Sequence, residues 1–312
     1  MIAVQFNRTG PPSVLHLAER AAPEVSDSDV TVHVRSAGIS PVDLALRAGG
    51  TPLSASLALP HVTGIDAAGI VVAIGRDVSN VELGDEVFGS VALTDFGGAA
   101  AEFAVLANWG PKPTAWSWAE AGAAGSAVET ATRALDLLDV SAGAVVLVDG
   151  AAGGVGSIVA QLAAARGARV FGTARAESVH IVASLPGITA VQAGVDLRRV
   201  LRNAGIDHVD VAVDTTGRGV LAELVSITGD ADRVVTMADF SAAEYGVRFT
   251  RGALAGESTG YHGLRTLAEL TRRTPLKVPL RATYPFSRAS EAHGAAEIRP
   301  RWGKVALLND QS

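Results

Sequence analysis

Cysteine is absent from this 312-residue chain. That removes disulfides, thiolate nucleophiles and every zinc site built on Cys, and it fits a reducing cytoplasm as the compartment. A surplus of positive charge is missing too: 26 Lys and Arg stand against 32 Asp and Glu, a net charge of −6. Neither a long block of like charges nor a basic stripe occurs, so nucleic acid and anionic membrane surfaces are not expected partners. No apolar stretch approaches the roughly 18 residues of a membrane span. The opening MIAVQFNRTG lacks a basic start followed by a long apolar run, so no signal peptide is expected. Lysine is scarce, with only Lys112, Lys277 and Lys304, a bias that points to a GC-rich bacterial genome.

What is present is apolar and well punctuated. Hydrophobic residues make up 48% of the chain, enough for a large core, and the length predicts two domains. The first third carries short strand-like runs at 2–6, 30–38, 67–75, 85–91 and 101–106 between Gly, Pro, Asn and Asp turns. They predict a small β-barrel or sandwich-like domain. After Pro111-Lys112-Pro113 the pattern changes. Apolar strands at 144–149, 168–173, 189–192, 209–214 and 233–238 alternate with the helical stretches SIVAQLAAARG, ESVHIVASL, DLRRVLRNAG and GVLAELVSIT. This predicts an α/β doubly wound parallel sheet covered on both faces. Beyond about residue 256 a helix, GLRTLAELTRR, precedes strand-like VPLRATYPF and KVALL, whose place periodicity leaves open.

The stretch VVLVDGAAGGVGS (145–157) ends a strand in a glycine cluster and runs straight into a helix. In that setting the turn Gly150, Ala151, Ala152, Gly153, Gly154, Val155, Gly156 predicts a dinucleotide cradle, although the full G-x-G-x-x-G pattern is not met. Backbone N–H groups approach a diphosphate where side chains are missing, and the helix N-terminus adds a positive dipole end. A cofactor lacking a 2′-phosphate usually meets an Asp or Glu at the end of the second strand. Here Thr173-Ala174-Arg175 stands there. A guanidinium suits a phosphate, so the reading is NADPH held by Thr173 and Arg175. The competing reading makes Arg175 a solvated loop residue and Glu177 the ribose acid.

Six segments in order resemble the zinc-independent quinone oxidoreductases, the zeta-crystallin-like branch of the medium-chain dehydrogenase/reductase superfamily. AGISPVD (37–43) resembles the family's A-G-V-N-P-V-D, VTGIDAAGIV (62–71) its P-G-x-D-x-A-G-V-V, and LGDEVFG (83–89) its V-G-D-x-V-x-G. KPTAWSWAEAGA (112–123), the cofactor turn with its second strand (149–174), and VDTTG (213–217) complete the series. The resemblance implies a Rossmann doubly wound parallel sheet plus a GroES-like β-barrel domain. It divides the chain into a GroES-like catalytic domain (1–114), a Rossmann NADPH-binding domain (115–255) and a C-terminal segment (256–312) returning to the first. It further implies an active site in the cleft between domains and a homodimer through the Rossmann sheet edge.

Zinc relatives in this superfamily carry Cys ligands and a Gly-His-Glu segment; here that slot reads Gly64-Ile65-Asp66, and His61 stands alone, so no metal is expected. The resemblance places Ser40, Asp43 and Thr130 at the catalytic centre. Ser40 fills the family's Asn slot, Asp43 either caps a turn or acts directly, and Thr130 opens the long helix beside the cofactor. Glu129 is either a solvated charge or a proton source. Thr216, Met237, Ala238 and the Gly303-Lys304 pair fall at cofactor positions; Phe240 is either core or a wall of the nicotinamide site. The family's pocket aromatics are missing at Thr51 and Ala100, and Trp302 replaces an Arg, which suggests a roomier, more apolar pocket. The resulting expectation is a zinc-free, NADPH-dependent enzyme delivering hydride to a quinone or an α,β-unsaturated carbonyl. Its alternatives are an enone reductase tailoring a secondary metabolite and a non-catalytic NADPH-binding sensor.

Overall fold

The computed structural model describes residues 1–310 apart from Leu93, Thr94, Phe96, Pro275 and Pro300. The chain forms two compact units. The first comprises 1–126, 264–271 and the C-terminal stretch from 280, and the second comprises 127–263 and 272–279.

The first unit is built on the ten-residue strand Val30–Ile39. It pairs antiparallel with Asp66–Ile74, Phe103–Leu106 and Lys304–Leu308. Leu280–Pro285 lies beyond Lys304–Leu308 at one end, and Glu86–Ser90 and Asn108–Pro111 continue the sheet at the other. A second sheet has the order His16–Glu19, Ile2–Phe6, His61–Val62. Alternating residues face one core, with Val30, Val32 and Val34 from the central strand meeting Phe6, Leu106 and Leu307. The tail that periodicity could not place therefore contributes two strands to this sheet.

The second unit is a six-stranded sheet, parallel throughout, in the order Ile188–Gln192, Arg169–Ala174, Val145–Asp149, Val211–Asp214, Val234–Thr236, Arg248–Phe249. Its central strands are apolar and buried, as expected of strands covered on both faces. The strand order reverses between Val145–Asp149 and Val211–Asp214. Open α/β sheets bind ligands outside the carboxyl ends of the strands at such a reversal. The helix Gly156–Ala165 starts there and is buried along most of its length. Its one mid-helix polar side chain, Gln161, exchanges two hydrogen bonds of 2.8 Å with the backbone of Lys277.

Candidate functional site

The glycine turn is dictated by close approach. Gly150 has φ +85° and faces Thr215 and Thr216, so a Cβ there would be strained and would strike the following loop. A Cβ on Gly156 would stand 2.8 Å from the carbonyl carbon of Gly150 and closer still to its oxygen. Gly153 donates to Gly150 O at 2.8 Å, and Ala151 donates to Thr173 O at 2.9 Å. The amides of Ala152, Gly154, Val155 and Gly156 donate to none of the described residues. Four unpaired N–H groups at a helix N-terminus form an anion cradle. The residues present thus fit the diphosphate of a dinucleotide.

Arg175 lies just past the strand Arg169–Ala174. It is exposed and forms no ion pair with the described residues, so its guanidinium is available to a phosphate. Glu177 is equally exposed. Thr173 is differently disposed from the sequence reading. It is buried, and its hydroxyl donates to Asp149 Oδ1 at 2.5 Å while accepting from Gly150 N at 3.3 Å. Its hydroxyl hydrogen is already committed inside the strand ends.

The loop after Val211–Asp214 is wound around Asp214. That carboxylate accepts from Thr216 N (2.9 Å), Gly217 N (3.2 Å) and Thr236 Oγ1 (2.7 Å). Thr216 donates its hydroxyl to Asp149 Oδ2 at 2.6 Å. Met237 and Ala238 follow the strand Val234–Thr236 at the same carboxyl edge and are half-buried. Phe240 is 89% exposed and tilts against Phe249 with ring centroids 5.1 Å apart; it is not a core residue.

Thr130 sits within the helix Gly125–Leu137 and does not open it. The hydroxyl donates to Glu129 Oε2 at 3.1 Å. Glu129 is neither solvated nor free. It is buried, chelates Arg133 at 2.8 and 3.2 Å, and accepts from Gly260 N at 3.1 Å. Arg133 also donates to Thr250, whose hydroxyl donates to Glu257 at 2.6 Å. Burial would raise the Glu257 carboxyl, but the Thr250 hydroxyl and the backbone amides of Gly252 and Arg251, with the Arg133 charge, hold it below its ordinary range.

Ser40, Asp43 and Lys304 belong to the first unit. Ser40 is the N-cap of the helix Pro41–Ala48. Its N–H and hydroxyl each donate to Asp43 Oδ2 at 2.7 Å, and the hydroxyl accepts from Asp43 N at 3.4 Å. This is a reciprocal capping box, with Pro41 at the first helical position and Gly49 closing the helix in the left-handed region. Asp43 Oδ1 accepts from Gly64 N at 3.1 Å, tying the helix start to the GIDAAG strand. Asp43 is therefore the capping aspartate. Burial, with the charge of Asp66 assisting, pushes it up to about 6. Asp66 is wholly buried and accepts from Ser126 N (2.8 Å) and Oγ (2.6 Å). Lys304 is buried near both carboxylates; burial draws its ammonium down, and the charges of Asp66 and Asp43 oppose that. His61 is buried against Phe6. No group of three His, Asp or Glu placed to hold a metal occurs among the described residues.

The structure thus gathers Gly150–Gly156, Thr173, Thr216, Met237 and Ala238 at the carboxyl edge of one sheet, with Arg175 at the end of its second strand. It gathers Ser40, Asp43 and Lys304 in the other unit. Sequence reasoning missed Asp149 and Arg218. Arg218 donates Nε to Asp149 Oδ2 at 3.2 Å and Nη2 to Oδ1. An acid at the end of a buried strand calls for a partner, but the partner lies 69 residues on, where spacing gives no signal.

A GroES-like sheet and a doubly wound dinucleotide sheet in one chain define the medium-chain dehydrogenase/reductase fold. Comparison with known proteins agrees. Residues 26–116 match the alcohol dehydrogenase GroES-like domain, and residues 189–307 match the family described as zinc-binding dehydrogenase. The chain is 31% identical to a quinone oxidoreductase of Rattus norvegicus over 99% of its own length and 98% of the relative's. It is 30% identical to an NADPH-dependent alkenal/one oxidoreductase of Arabidopsis thaliana, covering 98% of this chain and 79% of that protein. The solved quinone oxidoreductase of Coxiella burnetii superposes with a TM-score of 0.80 at 27% identity, over 99% of both chains. The chain belongs to the quinone oxidoreductase family of the medium-chain dehydrogenase/reductase superfamily.

Proposed function

We propose that this oxidoreductase binds NADPH and reduces a quinone or an α,β-unsaturated carbonyl. The observation that carries the proposal is the glycine turn, with four unpaired amides at the start of Gly156–Ala165 and the unpaired Arg175 at the end of the neighbouring strand. The name of the Arabidopsis relative supports the cofactor and the enone acceptor; those of the rat and Coxiella relatives support the quinone.

In this reading the amides of Ala152, Gly154, Val155 and Gly156 hold the diphosphate, and Arg175 binds the 2′-phosphate. Thr216, Met237 and Ala238 line the carboxyl edge. Bound NADPH would supply the hydride. Ser40 and Asp43 fix the start of the helix Pro41–Ala48, and Lys304 balances the charge of the buried carboxylates. Thr130, held by Glu129 and Arg133, is the half-buried hydroxyl proposed to face the acceptor. Assembly as a homodimer belongs to the same proposal; the short edge strand Arg248–Phe249 and the exposed Phe240 beside it support that edge as the interface.

The test is NADPH oxidation followed at its near-ultraviolet absorbance with a benzoquinone and an alkenal as acceptors. Steady turnover with either acceptor is expected. Cofactor binding without turnover on a broad acceptor panel would replace this reading with that of a nucleotide sensor.

A further inference from the structure

Asp149 closes the strand Val145–Asp149, one residue before the glycine turn. It is 2% exposed. Its carboxylate accepts from Thr173 Oγ1 at 2.5 Å, Thr216 Oγ1 at 2.6 Å, and Arg218 through Nε at 3.2 Å and Nη2. Arg218 alone among these donors carries a charge, and its side chain stays 32% exposed on the solvent side of the pair.

A carboxylate at this place conflicts with the use of the turn. The unpaired amides and the helix dipole attract a diphosphate, whereas a buried negative charge beside them repels it, in surroundings that screen poorly. The hydroxyls of Thr173 and Thr216 satisfy its lone pairs but leave its charge. Among the described residues only Arg218 forms an ion pair with the carboxylate and cancels that charge. Asp149 also earns its place structurally: through Thr173 and Thr216 it joins the second strand and the VDTTG loop to the turn, where Gly150 packs on Thr215 and Thr216.

We propose that Arg218 is a positioning residue for dinucleotide binding, acting through Asp149: it neutralises the carboxylate beneath the turn, so that the four amides present a net cationic cradle. The proposal rests on the dinucleotide reading above. Because the diphosphate is common to NADPH and NADH, Arg218 acts on both equally. Arg175, by contrast, is proposed to act on the 2′-phosphate alone.

The experiment is calorimetric titration of the full chain with NADPH and with NADH. The proteins are wild type, Arg218→Gln, Arg218→Lys, Asp149→Asn and the double variant Asp149→Asn/Arg218→Gln. Removing one partner of a buried charge pair leaves the other uncompensated. Arg218→Gln is therefore expected to weaken both dinucleotides by roughly ten- to a hundredfold with their ratio unchanged. Arg218→Lys keeps the charge and most of the affinity. Asp149→Asn binds no more weakly than wild type, and the double variant recovers to within about threefold of it.

A double variant as weak as Arg218→Gln would mean that Arg218 touches the dinucleotide itself, and would overturn the proposal. So would unchanged affinity in Arg218→Gln. If Arg218→Gln does not fold, the double variant decides: affinity within about threefold of wild type supports the proposal, and a loss of about tenfold or more overturns it. A wild-type protein that binds neither dinucleotide would refute the underlying reading, a result distinct from a failed rescue.

Discussion

His293 and Asp43, both in the first unit, bend the acid limb of stability in opposite directions. His293 is completely buried in the helix Ala289–Glu297, and neither ring nitrogen has a hydrogen-bond partner among the described residues. Burial, helped by the charge of Arg47, pulls it from 6.5 down to about 3. The unfolded chain therefore takes up a proton below about pH 6.5 that the folded chain refuses until about pH 3. At about 1.4 kcal/mol per pH unit, this removes about 5 kcal/mol of stability across that window. Asp43 is raised from 3.8 to about 6. Its folded state takes a proton first, so its contribution of about 3 kcal/mol is present below 3.8 and lost as pH rises through 6. Between about pH 6 and 4 the two slopes cancel. Denaturant unfolding at intervals from pH 4 to 7.5 tests this in wild type, His293→Leu and Asp43→Asn. His293→Leu should gain about 3 kcal/mol on acidification from pH 6 to 4 relative to wild type, and Asp43→Asn should lose about as much. Parallel curves for all three proteins would refute the reasoning.

Two further predictions follow from the second unit. Gly156→Ala places a methyl group against the Gly150 carbonyl, and neither backbone can yield without opening the turn. Dinucleotide affinity measured by calorimetry should fall at least about tenfold with the circular dichroism spectrum retained, and undiminished binding would show that the turn is not the cradle. Glu129→Ala leaves Arg133 buried without its bidentate partner, a loss of about 3 kcal/mol in denaturant unfolding; Glu129→Gln, which keeps the acceptor, should lose less.

Much of the fold was legible because its signals are local. Apolar runs with Gly punctuation marked five of the six strands of the dinucleotide sheet to within about two residues, while the two-residue edge strand Arg248–Phe249 is too short to leave a pattern; the glycine turn announced itself by lying between a strand and a helix. The helix Pro41–Ala48 carried signals that the sequence reading did not use: Ser40 with Asp43 three residues on, Pro41 at the first position, Arg47 in the last turn and Gly49 after it. Taken together they are a helix start and stop, hidden because the segment was read as a motif. Other features depend on the tertiary fold. Glu129 reads in sequence as either a solvated charge or a proton source, and only the fold brings Arg133 and Gly260 around it. Phe240 reads as either core or a wall of the nicotinamide site; its strand ends before it and leaves it outside, which removes the first alternative. The Asp149–Arg218 pair joins two strand ends that are neighbours only because the sheet order reverses there.

The central claim is that the turn holds a dinucleotide and that Arg175 selects the phosphorylated form. Calorimetric titration of wild type and Arg175→Ala with NADPH and NADH tests it most directly. A charge-assisted contact to phosphate is worth about 1.5–3 kcal/mol. Wild type should therefore favour NADPH by roughly ten- to a hundredfold, and Arg175→Ala should lose that preference while keeping its affinity for NADH. Equal binding of the two dinucleotides, indifferent to Arg175, would contradict the claim and make Glu177 the residue that reads the ribose.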